Sequence, residues 1–126
     1  MTFFHGGFPG LKPGDLILPP DTTGTEHTLS QYAAQMAAGP HATRRDVVYL
    51  STDRQVARAY AAFYPDGALY QVQPQSPVDP DPDCLMPGVS WQCPAAVVVA
   101  VVDAVVLFRS RSPELWLRMA NKGALR

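Results

Sequence analysis

Residues 47–63 read "VVYLSTDRQVARAYAAF", and a change of period inside this stretch decides the fold class. Val47 to Ser51 is rich in β-branched and apolar residues, the composition of a buried strand. From Thr52 onward the period changes. Val56, Ala59, Tyr60 and Phe63 recur at three- and four-residue spacing, which predicts one buried face of a helix, with Thr52 or Asp53 as its cap. "YPDG" (64–67) then makes a turn, and "ALYQVQP" (68–74) alternates apolar and polar residues as a half-buried strand does. A helix therefore stands between two strands.

Outward from this unit, "TFFH" (2–5) reads as a first strand ending at His5, with Gly6 and Gly7 permitting a tight or close-approach turn. "DLIL" (15–18) is a second extended piece. Residues 19–46 are polar and turn-rich, with one helical candidate, "LSQYAAQMAAG" (29–39), halted by Gly39-Pro40. Prolines recur too often in "PQSPVDPDPDCLMPGVSWQCP" (74–94) for regular structure to be expected there. "AAVVVAVVDAVVLF" (95–108) reads as a core strand or two, because Asp103 interrupts it and it is too short to span a bilayer. A basic C-terminal helix is expected at about 112–123, with Ser112 as cap, Pro113 at its first position and Gly123 as stop. The order predicts an α+β domain with a mostly antiparallel sheet. At 126 residues, the whole chain (1–126) is expected to form a single domain.

A hydrophobic fraction of 47% against 17% charged residues belongs to a folded chain rather than a disordered one. The net charge of −1 gives no global attraction to nucleic acid or to an acidic membrane. Basic residues nevertheless gather after Phe108: Arg109, Arg111, Arg118, Lys122 and Arg126 face only Glu114. A solvated helix face explains them most simply, and a phosphate-facing patch is the alternative. Without a charged segment leading into an apolar one at the N-terminus, a cytoplasmic protein without membrane contact is expected. Cys84 and Cys93 lack metal-ligand spacing and are expected as thiols, with one disulfide as the alternative.

Three polar residues stand where elements end or where a side chain can face a ligand: His5, Tyr49 and Asp81. Asp79, Asp81 and Asp83 alternate like the start of a calcium loop, but Cys84 and Ser90 occupy the positions that need glycine and glutamate. No metal is therefore expected. The chain also lacks a P-loop, a dinucleotide fingerprint and a nucleophile elbow.

Taken in order, "FFHGG", "GLKPGDLI", "VVYLSTDRQVARAYAA" and "ALYQVQPQSPVDPDPD" resemble the rifampin ADP-ribosyltransferase family, over roughly residues 3–83 with gaps and again near the strand at 97–106. The resemblance implies an ADP-ribosyltransferase-like fold, with mostly antiparallel sheets around an NAD cleft and a few short helices. It implies an NAD-dependent mono-ADP-ribosyltransferase that releases nicotinamide. His5, Tyr49 and Asp81 fall on that family's catalytic positions. His5 would hold a ribose hydroxyl, Gly6 would pair its backbone with the nicotinamide amide, and Tyr49 would offer a ring for stacking. Gly7, Ser51 and Tyr60 complete the expected NAD contacts. Asp79 and Asp83 are neighbouring substitutes for Asp81, whose assignment rests on the resemblance.

On this resemblance NAD would enter as co-substrate, and the acceptor would be a protein, a nucleic acid or a rifamycin antibiotic. The basic tail favours a macromolecule, while Tyr32 and Met36 on the helical candidate at 29–39 are a possible apolar wall for a macrocycle. Two rival readings differ in class. One is an RNA 2′-phosphotransferase-like enzyme, against which Tyr49 stands where that family tends to place a second histidine. The other is a non-catalytic module that binds NAD or ADP-ribose.

Overall fold

The computed structural model describes residues 1–19, 47–64, 66–80 and 88–120. Among these residues seven strands form one open antiparallel sheet, and two α-helices cover part of it. In chain order they are β1 (Phe3–Gly7), β2 (Leu16–Ile17), β3 (Val48–Ser51), α1 (Arg54–Ala62), β4 (Gly67–Pro74), β5 (Asp79–Pro80), β6 (Ser90–Cys93), β7 (Ala96–Val106) and α2 (Pro113–Ala120). A 3-10 turn at Phe108–Ser110 precedes α2. Across the sheet the strands run β2-β7-β4-β1-β3-β6-β5. The α+β class with an antiparallel sheet holds.

The strand-to-helix switch at Ser51–Asp53 is built as its sequence suggests. Asp53 takes extended geometry, and its Oδ1 accepts from the backbone N–H groups of Gln55 at 2.8 Å and Val56 at 3.2 Å. Asp53, rather than Thr52, is thus the cap. At the other end Gly67 N–H donates to Tyr64 O at 3.1 Å, closing the turn into β4. Ser112 caps α2 through Leu115 N–H at 3.2 Å, with Pro113 as its first residue.

Each face of the sheet carries its own core. Phe3, Ile17, Val48, Leu50, Tyr70, Val72, Cys93 and Val98 pack on one face. Phe4, Leu69, Val106 and Trp116 pack on the other, beneath the alanines of α1. Those alanines let the helix backbone press directly on the sheet. A Cβ at Gly6 would stand 2.1 Å from Ala57 O, and one at Gly67 would stand 1.9 Å from Ala61 O. Only glycine fits beneath α1 at these two points.

Two expectations need correction. β1 does not end at His5 but continues through Gly6 and Gly7, so these glycines are strand residues rather than a turn. The stretch 74–94 is not wholly irregular, because Asp79–Pro80 pairs with β6 and "SWQC" pairs on both sides. Pro80 is tolerated because β5 is the outermost strand. The valine-rich run forms one strand of 11 residues, with Asp103 held by Arg58 of α1 at 2.7 Å. Register shifts in the β4–β7 ladder let this long strand follow a shorter partner. The helical candidate at 29–39, with Tyr32 and Met36, lies outside the described residues, as do Cys84, Lys122, Gly123 and Arg126.

Candidate functional site

The sheet is two half-sheets joined at one point. β1 pairs with β4 along all five of its residues, from Phe3–Val72 to Gly7–Ala68. On its other side it pairs with β3 at Phe4–Ser51 alone. Beyond Phe4 the two strands part, and the β3-facing edge of His5, Gly6 and Gly7 has no strand partner among the described residues.

His5 sits at this parting. Its Nδ1 lies 2.8 Å from Tyr49 O, so a side chain replaces the missing ladder bond between β1 and β3. A carbonyl accepts only, which assigns the proton to Nδ1 and leaves the Nε2 lone pair as an acceptor. Burial pulls the imidazole below its ordinary value of 6.5, and the bond to Tyr49 offsets this only in part. At neutral pH His5 is therefore uncharged, with one nitrogen committed to the fold and the other able to accept.

The two glycines after it do different work. Gly6 shares the helix face with Phe4 and makes room for α1. Gly7 shares the opposite face with His5, where a Cβ would stand 2.7 Å from His5 Nε2. Gly7 is thus the seat on which the imidazole lies. Tyr70, opposite His5 across the β1–β4 ladder, is fully buried and pins the chain that follows. Its hydroxyl donates to Phe8 O and accepts from Leu11 N–H at 3.3 Å, and burial raises its pKa. Phe8 in turn stacks edge-on against Tyr64 at 4.7 Å.

On the β3 side, alternation from the Phe4–Ser51 pair sends Tyr49 to the helix face and His5 to the other. The two residues therefore meet through the Tyr49 carbonyl, and their rings flank the parting strands from opposite faces. Tyr60, on α1, packs against the core of the same helix face. Ser51 is buried, its hydroxyl donating to Val89 O at 2.8 Å and accepting from Asp53 N–H at 3.0 Å. It ties the strand-to-helix corner to the segment before β6. Asp81 and Asp83 lie outside the described residues. Asp79 is exposed on β5 and stands in one cross-strand row with Gln92 and Tyr49.

Among the described residues no group of three or more His, Cys, Asp or Glu side chains could hold a metal ion, and no helix is long and apolar enough to cross a membrane. Cys93 is buried and free, its Sγ 3.4 Å from Ala95 O, and burial pushes its thiol pKa up. Arg109, Arg111 and Arg118 are exposed, and Arg111 lies over the Trp116 ring at 5.2 Å.

No family model matches the chain, and no curated protein matches it.

Two residues of this region escape sequence reasoning. Tyr70 reads as an ordinary strand tyrosine, although its alternation with Val72 does place it on a buried face. Trp91 lies in a stretch whose prolines hide its strand, and its partners on β3 and β5 are remote or unremarkable in sequence.

Proposed function

We propose that the chain is an NAD-dependent mono-ADP-ribosyltransferase. The observation that carries the reading is the parting of β1 from β3, which leaves His5–Gly7 without a strand partner on that side among the described residues, beside a neutral imidazole bonded to Tyr49 O. An open backbone edge offers the donor and acceptor that a planar carboxamide needs, and His5 Nε2 offers an acceptor for a ribose hydroxyl. The residues present thus fit the nicotinamide riboside half of NAD.

NAD supplies an activated ribose, because nicotinamide leaves with the electron pair of its glycosidic bond. The protein's task is to hold the ribose still and to stabilise the positive charge that gathers on it. His5 fixes the ribose through Nε2, while Nδ1 anchors the ring to β3. Tyr49 offers an aromatic wall from the helix face. Asp81 is the carboxylate that steadies the charge and takes the proton from the acceptor's nucleophile as that atom bonds to the ribose. Asp79 of β5, in one cross-strand row with Gln92 and Tyr49, is the natural control for that role. The products are nicotinamide, a proton and an ADP-ribosylated acceptor. A macromolecular acceptor is favoured by the exposed arginines 109, 111 and 118, which suit phosphates or acidic protein surfaces.

The test is to incubate the purified protein with NAD and follow nicotinamide by chromatography, with rifampin, RNA or a protein lysate as acceptor. His5→Ala is expected to lose most of the turnover while remaining folded. Failure of the parent protein to release nicotinamide with any acceptor would remove the reading.

A further inference from the structure

β6 carries a buried hydrogen-bond donor with nothing to donate to. The Trp91 indole Nε1–H is buried and has no hydrogen-bond partner among the described residues. By contrast, the other tryptophan of the chain, Trp116, donates its Nε1–H to Phe108 O. A buried donor left unmade costs the protein free energy, and native structures tolerate few of them without a reason.

The position of the ring supplies one. Trp91 is opposite Leu50 of β3, on the same face as Phe3 and His5. Its ring meets Phe3 of β1 edge-on, with centroids 6.2 Å apart and planes at 89°. β3 lies between β6 and β1, so the indole reaches over β3 to the strand beyond it. It thus spans the single joint between the half-sheets, on the face to which His5 presents Nε2.

We infer that Trp91 is a ligand-recognition residue, whose indole N–H donates to an acceptor oxygen of the nicotinamide riboside half of NAD. This rests on the reading of the site as an NAD site, and it adds a donor to the acceptor that His5 supplies. Ribose and carboxamide both carry acceptor oxygens, and a donor–acceptor pair on one face holds such a group in one orientation. The unmade bond of the free protein is then made in the complex. Removing the N–H alone therefore has effects of opposite sign on the two states: the free protein is relieved of an unpaired donor, and the complex loses a bond.

The experiment replaces Trp91 by benzothienylalanine, which keeps the ring shape and has sulfur in place of N–H. Trp91→Phe serves as a second variant. Melting temperature is measured without ligand, and affinity for NAD by calorimetry. Separately, Trp116→Phe leaves Trp91 as the only tryptophan, so that NAD titration can be followed by its fluorescence. The expected result is an unchanged or higher melting temperature, a loss of NAD affinity of about tenfold, and a saturable change in Trp91 emission. A parent that binds NAD while the benzothienylalanine protein binds it equally well overturns this inference alone. A parent that binds no NAD overturns the site reading and this inference with it.

Discussion

Gly6 and Gly7 are neighbours of identical chemistry, yet alanine should act on them in opposite ways. At position 6 the added Cβ points at α1 and would sit 2.1 Å from Ala57 O and 2.5 Å from Ala61 N. Ordinary contact begins near 3.4 Å, so helix and strand must separate by roughly 1 Å. Both obstacles are backbone atoms, which no rotamer change can move aside. Overpacking of this kind costs about 3 kcal/mol, at the upper end of its usual range. The stiffer unfolded chain returns only about 0.4–1 kcal/mol. A net loss near 2 kcal/mol lowers the melting temperature of a domain this size by roughly 6–10 °C. At position 7 the obstacle is the His5 ring, 2.7 Å away at Nε2, and a side chain can turn. Gly7→Ala should therefore melt within a few degrees of the parent but lose NAD affinity, because the displaced imidazole gives up its 2.8 Å bond to Tyr49 O. Thermal melts and calorimetric titration on both variants decide it. A Gly6→Ala protein as stable as the parent would refute the packing argument. A Gly7→Ala protein with parental NAD affinity would refute the role given to His5.

Three further outcomes follow from the same geometry. His5 is held below its ordinary 6.5 by burial, so between 6.5 and its lower folded value the unfolded chain binds more protons than the folded one. Stability is therefore full above pH 6.5 and falls as the pH drops through that window; His5→Asn, which does not titrate, should flatten this part of a melting-temperature profile. Asp81→Asn should cut turnover far more than NAD affinity, whereas Asp79→Asn should leave turnover largely intact; the reverse pattern in initial rates would move the carboxylate's role to β5. Ser51→Ala removes a buried hydroxyl that both donates and accepts, so urea unfolding should show a loss of about 1–3 kcal/mol with little change in NAD affinity.

The parts of the fold that announce themselves in sequence are those whose cause is local. The helix at 54–62 follows from its spacing and from Asp53, and β4 follows from the alternation of 68–74. What stays hidden depends on distant partners. Gly6 and Gly7 look like a turn because glycine is commonest there, but their reasons are the backbone of α1 and the ring of His5. β6 is masked by flanking prolines, and it is a strand because β3 and β5 supply ladders on both sides. His5 and Tyr49 could be singled out as residues, yet their 2.8 Å contact runs through a carbonyl, which sequence never displays. Ser51 is likewise legible as a polar residue beside Tyr49, whereas its bonds to Val89 O and from Asp53 N–H, which fix the corner, are not.

The central claim is that the parted strands at His5 hold NAD for cleavage of its nicotinamide bond. It is tested most directly by measuring nicotinamide released from NAD by the parent protein and by His5→Ala, both shown folded by circular dichroism. The expected result is steady release by the parent, stimulated by the right acceptor and largely lost in the variant. Equal release by both proteins, or none from the parent at millimolar NAD with any acceptor, would contradict it.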